Sequence, residues 1–550
     1  MTKPGLMMDL PLLLSDIIEH AAAQFGTVEV VSRETHGPLF RYTYAECAVR
    51  ARRLARALAA MGLAPGASVG SIAWNNHRHL EAYYAVSGSG MVMHTCNPRL
   101  HPQQLAYVID HAEDEVVLFD ATFAPLVKGI APACPKVRAW ICLAEAAHVP
   151  AIEGVPNLVA YEDLIAPHDD AFEWPVFEER TAAALCYTSG TTGHPKGALY
   201  SHRAIVLNAM TGCQPGVLCL SPMETVLPVV PMFHINGWCI PYAAPMAGAK
   251  LVLPGPKLDG ASLYELMESE RVTLSAGVPT IWQGLIAHLE QHGLRFSTLR
   301  RAGTGGSAMP QAMIAKFVDT YGVDVRHGWG MTETTAVATI GAIGSREADW
   351  PAARRHALIA RQGRSVFGIR IKVVDADGAT LPRDGTSQGE LLVRGHWVLS
   401  RYHKAEGSPL VDGWFPTGDI ATIDADGVLQ IRDRTKDVIK SGGEWISSID
   451  LENAAVGHPS VAMAAVIGVP HPKWDERPLL LVVRKPGQSV DKDAILGFLA
   501  GRVARWWVPD DVVFVESLPL GGTGKVQKNE LRTRYGGTFA ARPETPADGT

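Results

Sequence analysis

The chain has 550 residues, of which 47% are hydrophobic and 19% charged, enough to bury a large core and to divide into more than one domain. With 50 Lys and Arg against 56 Asp and Glu its formal charge is −6, which argues against nucleic acid or an anionic membrane as a standing partner. The eight cysteines, at 47, 96, 134, 142, 186, 213, 219 and 239, sit in apolar surroundings without a Cys-x-x-Cys pair, a pattern of reduced thiols in cytosol rather than of zinc or disulfides.

From Leu10 through Leu14, Ile17, Ala21 and Phe25 the apolar residues recur at helical spacing, while Asp9, Asp16 and Glu19 interrupt the run. The spacing predicts an amphipathic, packed helix and neither a signal peptide nor a membrane span. Thr43 and Glu46 form a capping box ahead of a helix with apolar positions 47, 51, 54, 58 and 61, which Gly62 stops. Short apolar runs then follow, Val69 to Trp74, Val116 to Asp120 and Ala139 to Leu143, separated by helical stretches such as His79 to Val86. Alternation of this kind predicts an α/β layered domain.

The run Ala182 to Cys186 reads as a buried strand that ends in Tyr187-Thr-Ser-Gly-Thr-Thr-Gly-His-Pro-Lys-Gly197. Two glycines let backbone N–H groups converge on an anion, four hydroxyls add donors and Lys196 adds charge, which is the chemistry of a phosphate cradle. It is not a Walker A loop, because Pro195 precedes the lysine and Gly197 follows it. Thr225 to Pro231 is a second buried strand, running into Met232-Phe-His-Ile-Asn-Gly-Trp238, where His and Trp meet at a strand end. On the residues alone, His234 is equally a packed neutral histidine.

Arg301 to Pro310 is a second glycine-rich turn after a strand, and His327-Gly-Trp-Gly-Met-Thr-Glu-Thr334 a third loop of the same kind. Glu333 is either an oxygen ligand near a phosphate-bound cation or an ordinary helix-start carboxylate. Gly389 to Gly395 reads as a strand closing the large body; Asp419 ends a glycine-containing turn, Asp412 to Asp419. The polar run Ile431 to Asp437 separates this body from a tail of about a hundred residues, the size of one domain. Within that tail lie two further glycine loops, Lys440 to Ser448 and Leu518 to Lys528, and residues after Tyr535 read as a loose, small and polar end.

In this order the loops closely resemble the adenylate-forming superfamily, which holds acyl-CoA synthetases, luciferases and peptide-synthetase adenylation domains. The resemblance spans about residue 10 to 535. Phrases such as His94-Thr-Cys-Asn-Pro-Arg99, Ser441 to Ser448 and Lys473-Trp-Asp-Glu-Arg-Pro478 look most like bacterial medium-chain fatty acyl-CoA synthetases, a branch that includes methylmercaptopropionate-CoA ligases. It implies an α/β fold, with a large multi-sheet N-terminal domain (1–434), a hinge (435–437) at Lys436, a mobile α+β C-terminal domain (438–535) and a disordered tail (536–550). It also implies ATP, Mg²⁺ and coenzyme A, a carboxylic acid substrate, a homodimer and a cytoplasmic location.

By the same resemblance the catalytic set is Lys525, Glu333, His234 and Lys196, with Glu333 and Thr188 toward the metal. ATP would be held by Thr188, Ser189, Gly190, Thr191, Thr192 and Gly193, by Gly306, Ser307 and Ala308, and by His327, Gly328, Trp329, Gly330 and Thr332. Asp419 and Arg434 are assigned to ribose, and Trp329 to stacking on adenine. Phe233, Trp238, Gly305 and Gly330 would line the acyl pocket; Lys440, Ser441, Gly442, Gly443, Glu444 and Trp445 would meet CoA after the small domain swings.

The implied activity is an ATP-dependent, AMP-forming acid–CoA ligase for a short- to medium-chain or related acid, with a methylmercaptopropionate- or aryl-acid ligase as the alternative. A catalytically silent acyl or nucleotide binder is the reading from a different class, and the intact Lys196, Glu333, Asp419, Arg434 and Lys525 argue against it. A phosphotransferase would release ADP instead of AMP. A carboxylate attacking a phosphate brings like charges together, at a cost of about 4 kcal/mol at 4 Å and an effective dielectric near 20, so cations must be supplied.

Overall fold

The computed structural model describes residues 2–3, 5–188, 194–442, 444–521 and 525–539, and four sheets organise it. The nine-stranded sheet runs in space through 364–365, 339–340, 324–329, 301–304, 274–277, 225–228, 250–253, 29–33 and 39–43. It is parallel from 324–329 to 29–33, with antiparallel strands at its edges. The seven-stranded sheet runs through 158–160, 139–142, 114–119, 68–72, 92–95, 182–187 and 197–201, and only its last pair is antiparallel. Parallel strands are covered on both faces, which is why these segments read as continuous apolar runs.

One apolar cluster fills the space between the two sheets, and the helix His77–Gly88 lies in it with every residue buried. Its buried charge is fully paired: Glu81, at 0% exposure, accepts from Arg50 Nε at 2.8 Å and from the Tyr161 hydroxyl at 2.6 Å. Removing one partner of such a pair is far costlier than never having buried it. The predicted capping box is present at Thr43 and Glu46, and heads the helix Tyr44–Ala60. The first helix, Leu14–Phe25, starts later than the apolar spacing suggests. Leu10 precedes Pro11, which disfavours helical backbone, and it is 74% exposed.

A four-stranded antiparallel sheet follows, 369–374, 389–395, 415–423 and 429–434. The expected strand Gly389–Gly395 is there, but Asp419 stands inside the strand Phe415–Ile423 instead of ending a turn. The last sheet pairs 444–446, 439–441, 475–484 and 461–471, with 511–514 added to 475–484. Its apolar clusters contain only residues from Ile439 onward, and those of the large body stop at Ile431. Phe539, expected in the loose end, is 3% exposed and packs beside Leu479 and Leu531. All eight cysteines are free, and no helix among the described residues is long and apolar enough to cross a membrane.

Candidate active site

The sheets meet the C-terminal segment around a cleft of about 1570 Å³. At one end the strand Ala182–Tyr187 turns back as Gly197–Ser201, with Tyr187 opposite Gly197. The loop between them is closed at its base by reciprocal bonds: Thr188 N–H donates to Lys196 O at 2.9 Å, and Lys196 N–H to Thr188 Oγ1 at 3.1 Å. Lys196 Nζ lies 5.1 Å from the centre of the Tyr402 ring. The Tyr402 hydroxyl donates to Glu333 Oε1 at 2.7 Å, so one aromatic side chain ties the loop lysine to the buried carboxylate. No motif spacing marks Tyr402, and it is a site residue that sequence reasoning missed.

One wall of the cleft follows the ends of the strands Arg301–Thr304 and Asp324–Trp329. Gly306, Ser307, Ala308, Gly328, Trp329 and Gly330 all line the cleft. Trp329 Nε1 donates to Asp419 Oδ2 at 2.8 Å, while Arg434 Nε lies 2.8 Å from Asp419 Oδ1. The carboxylate is therefore clamped on both oxygens and fixes the plane of the indole; burial raises its pKa, against the Arg434 charge that lowers it. Gly330 has no room for any side chain, since a Cβ there would stand 1.5 Å from Ala336 O.

Lys525 reaches this wall from the C-terminal segment, and a Cβ on Gly306 would lie 3.6 Å from its Cε. Burial first, then the Arg434 charge, hold its ammonium down to about 8, against the opposing pull of Asp419 and Glu333. His234 is pushed down to about 3 by burial and by the Lys525 charge, so it is neutral in the site. Lys196, Arg434 and Lys525 are among the cations that line the cleft, and His234 is not one of them.

His234 is followed by a run of five left-handed residues, Ile235 to Cys239, with φ of 46, 48, 60, 55 and 57°. The turn is pinned from behind. Asn75 Oδ1 accepts from Met232 N–H at 2.7 Å, its Nδ2 donates to Pro228 O and Val230 O at 2.9 Å, and Cys186 Sγ donates to Asn236 Oδ1 at 3.1 Å. It presents Trp238 to the cleft, where a Cβ on Gly305 would meet the indole Cη2 at 3.4 Å. Left-handed backbone costs non-glycine residues about 1–2 kcal/mol each, and such outliers concentrate at functional sites.

Not every predicted residue reaches the cleft. His327 is 1% exposed, bonds Ile359 O through Nδ1 at 3.1 Å and supports the Ser307 turn from behind. Phe233 is buried beside a small separate cavity of about 10 Å³ that His94 and His234 also line. Lys440, Ser441, Gly442, Glu444 and Trp445 lie away from the cleft wall, on the strand pair 439–441/444–446. Gly442 N–H donates to Trp474 O at 2.9 Å, and a side chain at Gly442 would press on the Trp474 ring. Ser189, Gly190, Thr191, Thr192, Gly193 and Gly443 lie outside the described residues.

Lys436 lines the cleft within the turn after the strand Leu429–Arg434. Around that turn the small sheet docks by polar bonds: Ser448 N–H donates to Asp433 Oδ2 at 2.7 Å, Arg432 meets Asp450 at 3.3 Å, and Arg532 meets Asp437 at 2.7 Å. Lys528 is buried against Glu452 at 2.7 Å, and that charge with Asp433 keeps its ammonium protonated.

Residues 18–403 match the AMP-binding enzyme family, and residues 450–525 match the AMP-binding enzyme C-terminal domain. The sequence is 52% identical to a 3-methylmercaptopropionyl-CoA ligase of Ruegeria lacuscaerulensis over 96% of this chain and 98% of that protein. It is 51% identical to a medium-chain-fatty-acid–CoA ligase of Ectopseudomonas oleovorans over 97% of each. The fold is similar to that of an anthranilate CoA ligase in complex with anthranoyl-AMP, with a TM-score of 0.85 over 97% of this chain and 99% of that one at 24% identity.

Proposed function

The chain belongs to the AMP-binding enzymes and is an AMP-forming acid–thiol ligase, and we propose that it activates a short- to medium-chain carboxylic acid in this cleft with Lys525 as the catalytic cation. The observation that carries the assignment is the convergence of Lys525 with Glu333, Asp419, Arg434 and His234, groups far apart along the chain. In the first half-reaction an oxygen of the acid attacks the α-phosphorus of ATP, the bond to the bridging oxygen breaks and pyrophosphate leaves. Lys525, between the acid and the α-phosphate, offsets the charge that gathers there; Lys196 faces the outgoing phosphates. Neutral His234 beside Lys525 orients the carboxylate without adding a second cation. In the second half-reaction the CoA thiolate attacks the acyl carbonyl, and the acyl–phosphate bond breaks to release AMP.

The donor set fits Mg²⁺: Glu333 is a buried carboxylate oriented by Tyr402, with the hydroxyls of Thr188 and Thr332 on the same wall, all oxygen as that ion prefers. When bound, the ion would neutralise phosphate charge. For the second half-reaction we assign Lys436 as the pivot that brings Lys440, Ser441, Gly442, Gly443, Glu444 and Trp445 toward the cleft. The polar docking of the small sheet and the separation of the two apolar cores support that motion. The reading extends to a cytoplasmic homodimer, which sedimentation of the purified protein checks.

The test is release of AMP and pyrophosphate with ATP, Mg²⁺ and acids of two to sixteen carbons, including thioether and aromatic acids, each with and without CoA. Release that needs the acid and turns over only with CoA is expected. Nucleotide binding with no AMP from any acid would overturn the assignment.

A further inference from the structure

One part of the cleft lies between the two bodies. On the side of the large body it is lined by the helix Pro279–His292, whose residues Gln283, Ile286, Ala287 and Glu290 recur at helical spacing along it. Trp282, Leu285 and Leu289 anchor that helix in the core. On the side of the small body stand Val461, Ala462, Met463 and Ala464, which open the strand Val461–His471. Between the two, Gln283 Nε2 donates to Ala462 O. The receiving carbonyl belongs to a bulge. In the ladder with Asp475–Arg484, Val461 stands opposite Arg484 and Met463 opposite Val483, so Ala462 is skipped. A bulge leaves its extra residue outside the ladder, and bulges recur where a strand serves a site.

The other contacts between the bodies described above come from Arg432, Asp433 and Asp437, all within four residues of Lys436 along the chain. Bonds beside a pivot change length little as a body turns about it, so they tether the small body without fixing its angle. The bond from Gln283 comes from a separate element of the large body and adds a second point of attachment. That angle is what places Lys525. The strand Val461–His471 packs through Ala465 and Ile467 on Leu531 of the helix Lys528–Tyr535, and Val526, next to Lys525, packs against the same cluster. Ala462 and Lys525 thus belong to one packed unit, and what holds the first sets the reach of the second toward Glu333, Asp419 and Arg434.

We infer that Gln283 is a positioning residue for adenylation: its bond to the Ala462 carbonyl holds the small body at the angle that delivers Lys525, and it is released when that body turns for thioester formation. The inference rests on the ligase reading and on the pivot assigned to Lys436, and deepens them by naming what stabilises one of the two orientations. A bond made in only one orientation shifts the population toward it by the whole of its free energy.

The experiment uses the full-length enzyme and the acid of the panel above with the highest kcat/KM. It measures the single-turnover rate of acyl-adenylate formation without CoA and, separately, the rate at which supplied acyl-adenylate and CoA give thioester. Gln283→Ala is expected to slow the first by about 2- to 12-fold, the range for one net hydrogen bond, and Gln283→Glu, which sets an acceptor against the carbonyl, by more. Thioester formation from supplied adenylate is expected to keep its rate or to gain in both variants. A role in packing alone would lower both rates together, and that result overturns the inference while leaving the ligase reading intact. An adenylation rate unchanged in both variants overturns it equally. Absence of AMP from every acid with the unaltered enzyme removes the ligase reading and the inference together.

Discussion

At the scale of single residues, Lys525 separates activity from stability with opposite signs. Its ammonium is held down to about 8 from the usual 10.5, so it is present below that pH and lost above it. Because kcat/KM reports the free enzyme, its value for ATP is expected to fall about tenfold per unit as pH rises beyond 8. For folding the desolvated charge is a cost, fully present below pH 8 and relieved between 8 and 10.5; through this group stability rises where activity falls. Titration of kcat/KM beside chemical denaturation at each pH reads both. Lys525→Ala is expected to slow adenylation by about 10²–10³, typical for a lost preorganised donor, while supplied acyl-adenylate still reacts with CoA. Equal loss of both half-reactions would contradict its assigned place. Tyr402→Phe takes the hydrogen bond from buried Glu333 Oε1; a penalty of about 1–3 kcal/mol predicts about 5- to 150-fold slower adenylation.

At the scale of elements, glycines do two different jobs that composition cannot tell apart. A Cβ at Gly303 would meet the Leu218 and Ala276 side chains at 3.2 and 3.4 Å and backbone no nearer than 3.8 Å, so Gly303→Val is expected to fold and to narrow the cleft. Its chain-length profile should contract toward the shortest acids, a change that the acid panel reads directly. Gly330→Ala meets backbone at 1.5 Å and is expected to lower Tm and abolish AMP release together. The legible part of the fold was that carried by short-range signals: the capping box at Thr43 and Glu46, the strand before the loop at 188–196, and the strand Gly389–Gly395 stand where spacing puts them, whereas the strand expected before Arg301 is Arg301–Thr304 itself. What was not legible depends on distant partners. Tyr402 serves Glu333 across 69 residues, and Asn75 fixes Met232 from 157 residues away, so neither has a local pattern to betray it. Asp419 was not legible as a strand residue, because its glycine neighbours are those of a turn as well as of a bulged strand.

At the scale of the whole molecule, the two bodies keep separate apolar cores and meet through hydrogen bonds and ion pairs about the turn 435–437. Polar contacts of this kind exchange for water at little net cost, whereas an apolar interface would resist opening. Lys436→Pro, which stiffens the turn, is expected to spare adenylation and impair thioester formation; rapid-quench measurement of acyl-adenylate and acyl-CoA distinguishes this from equal loss of both. The left-handed run at 235–239 has a consequence for the way the protein fails. Its four non-glycine residues carry about 4–8 kcal/mol of unfavourable backbone, comparable with the net stability of a domain, so this segment is the first to relax when its surroundings loosen. In rising urea, then, turnover should vanish while circular dichroism still reports intact sheets, and a thermal record of activity should break several degrees below the melting of the chain.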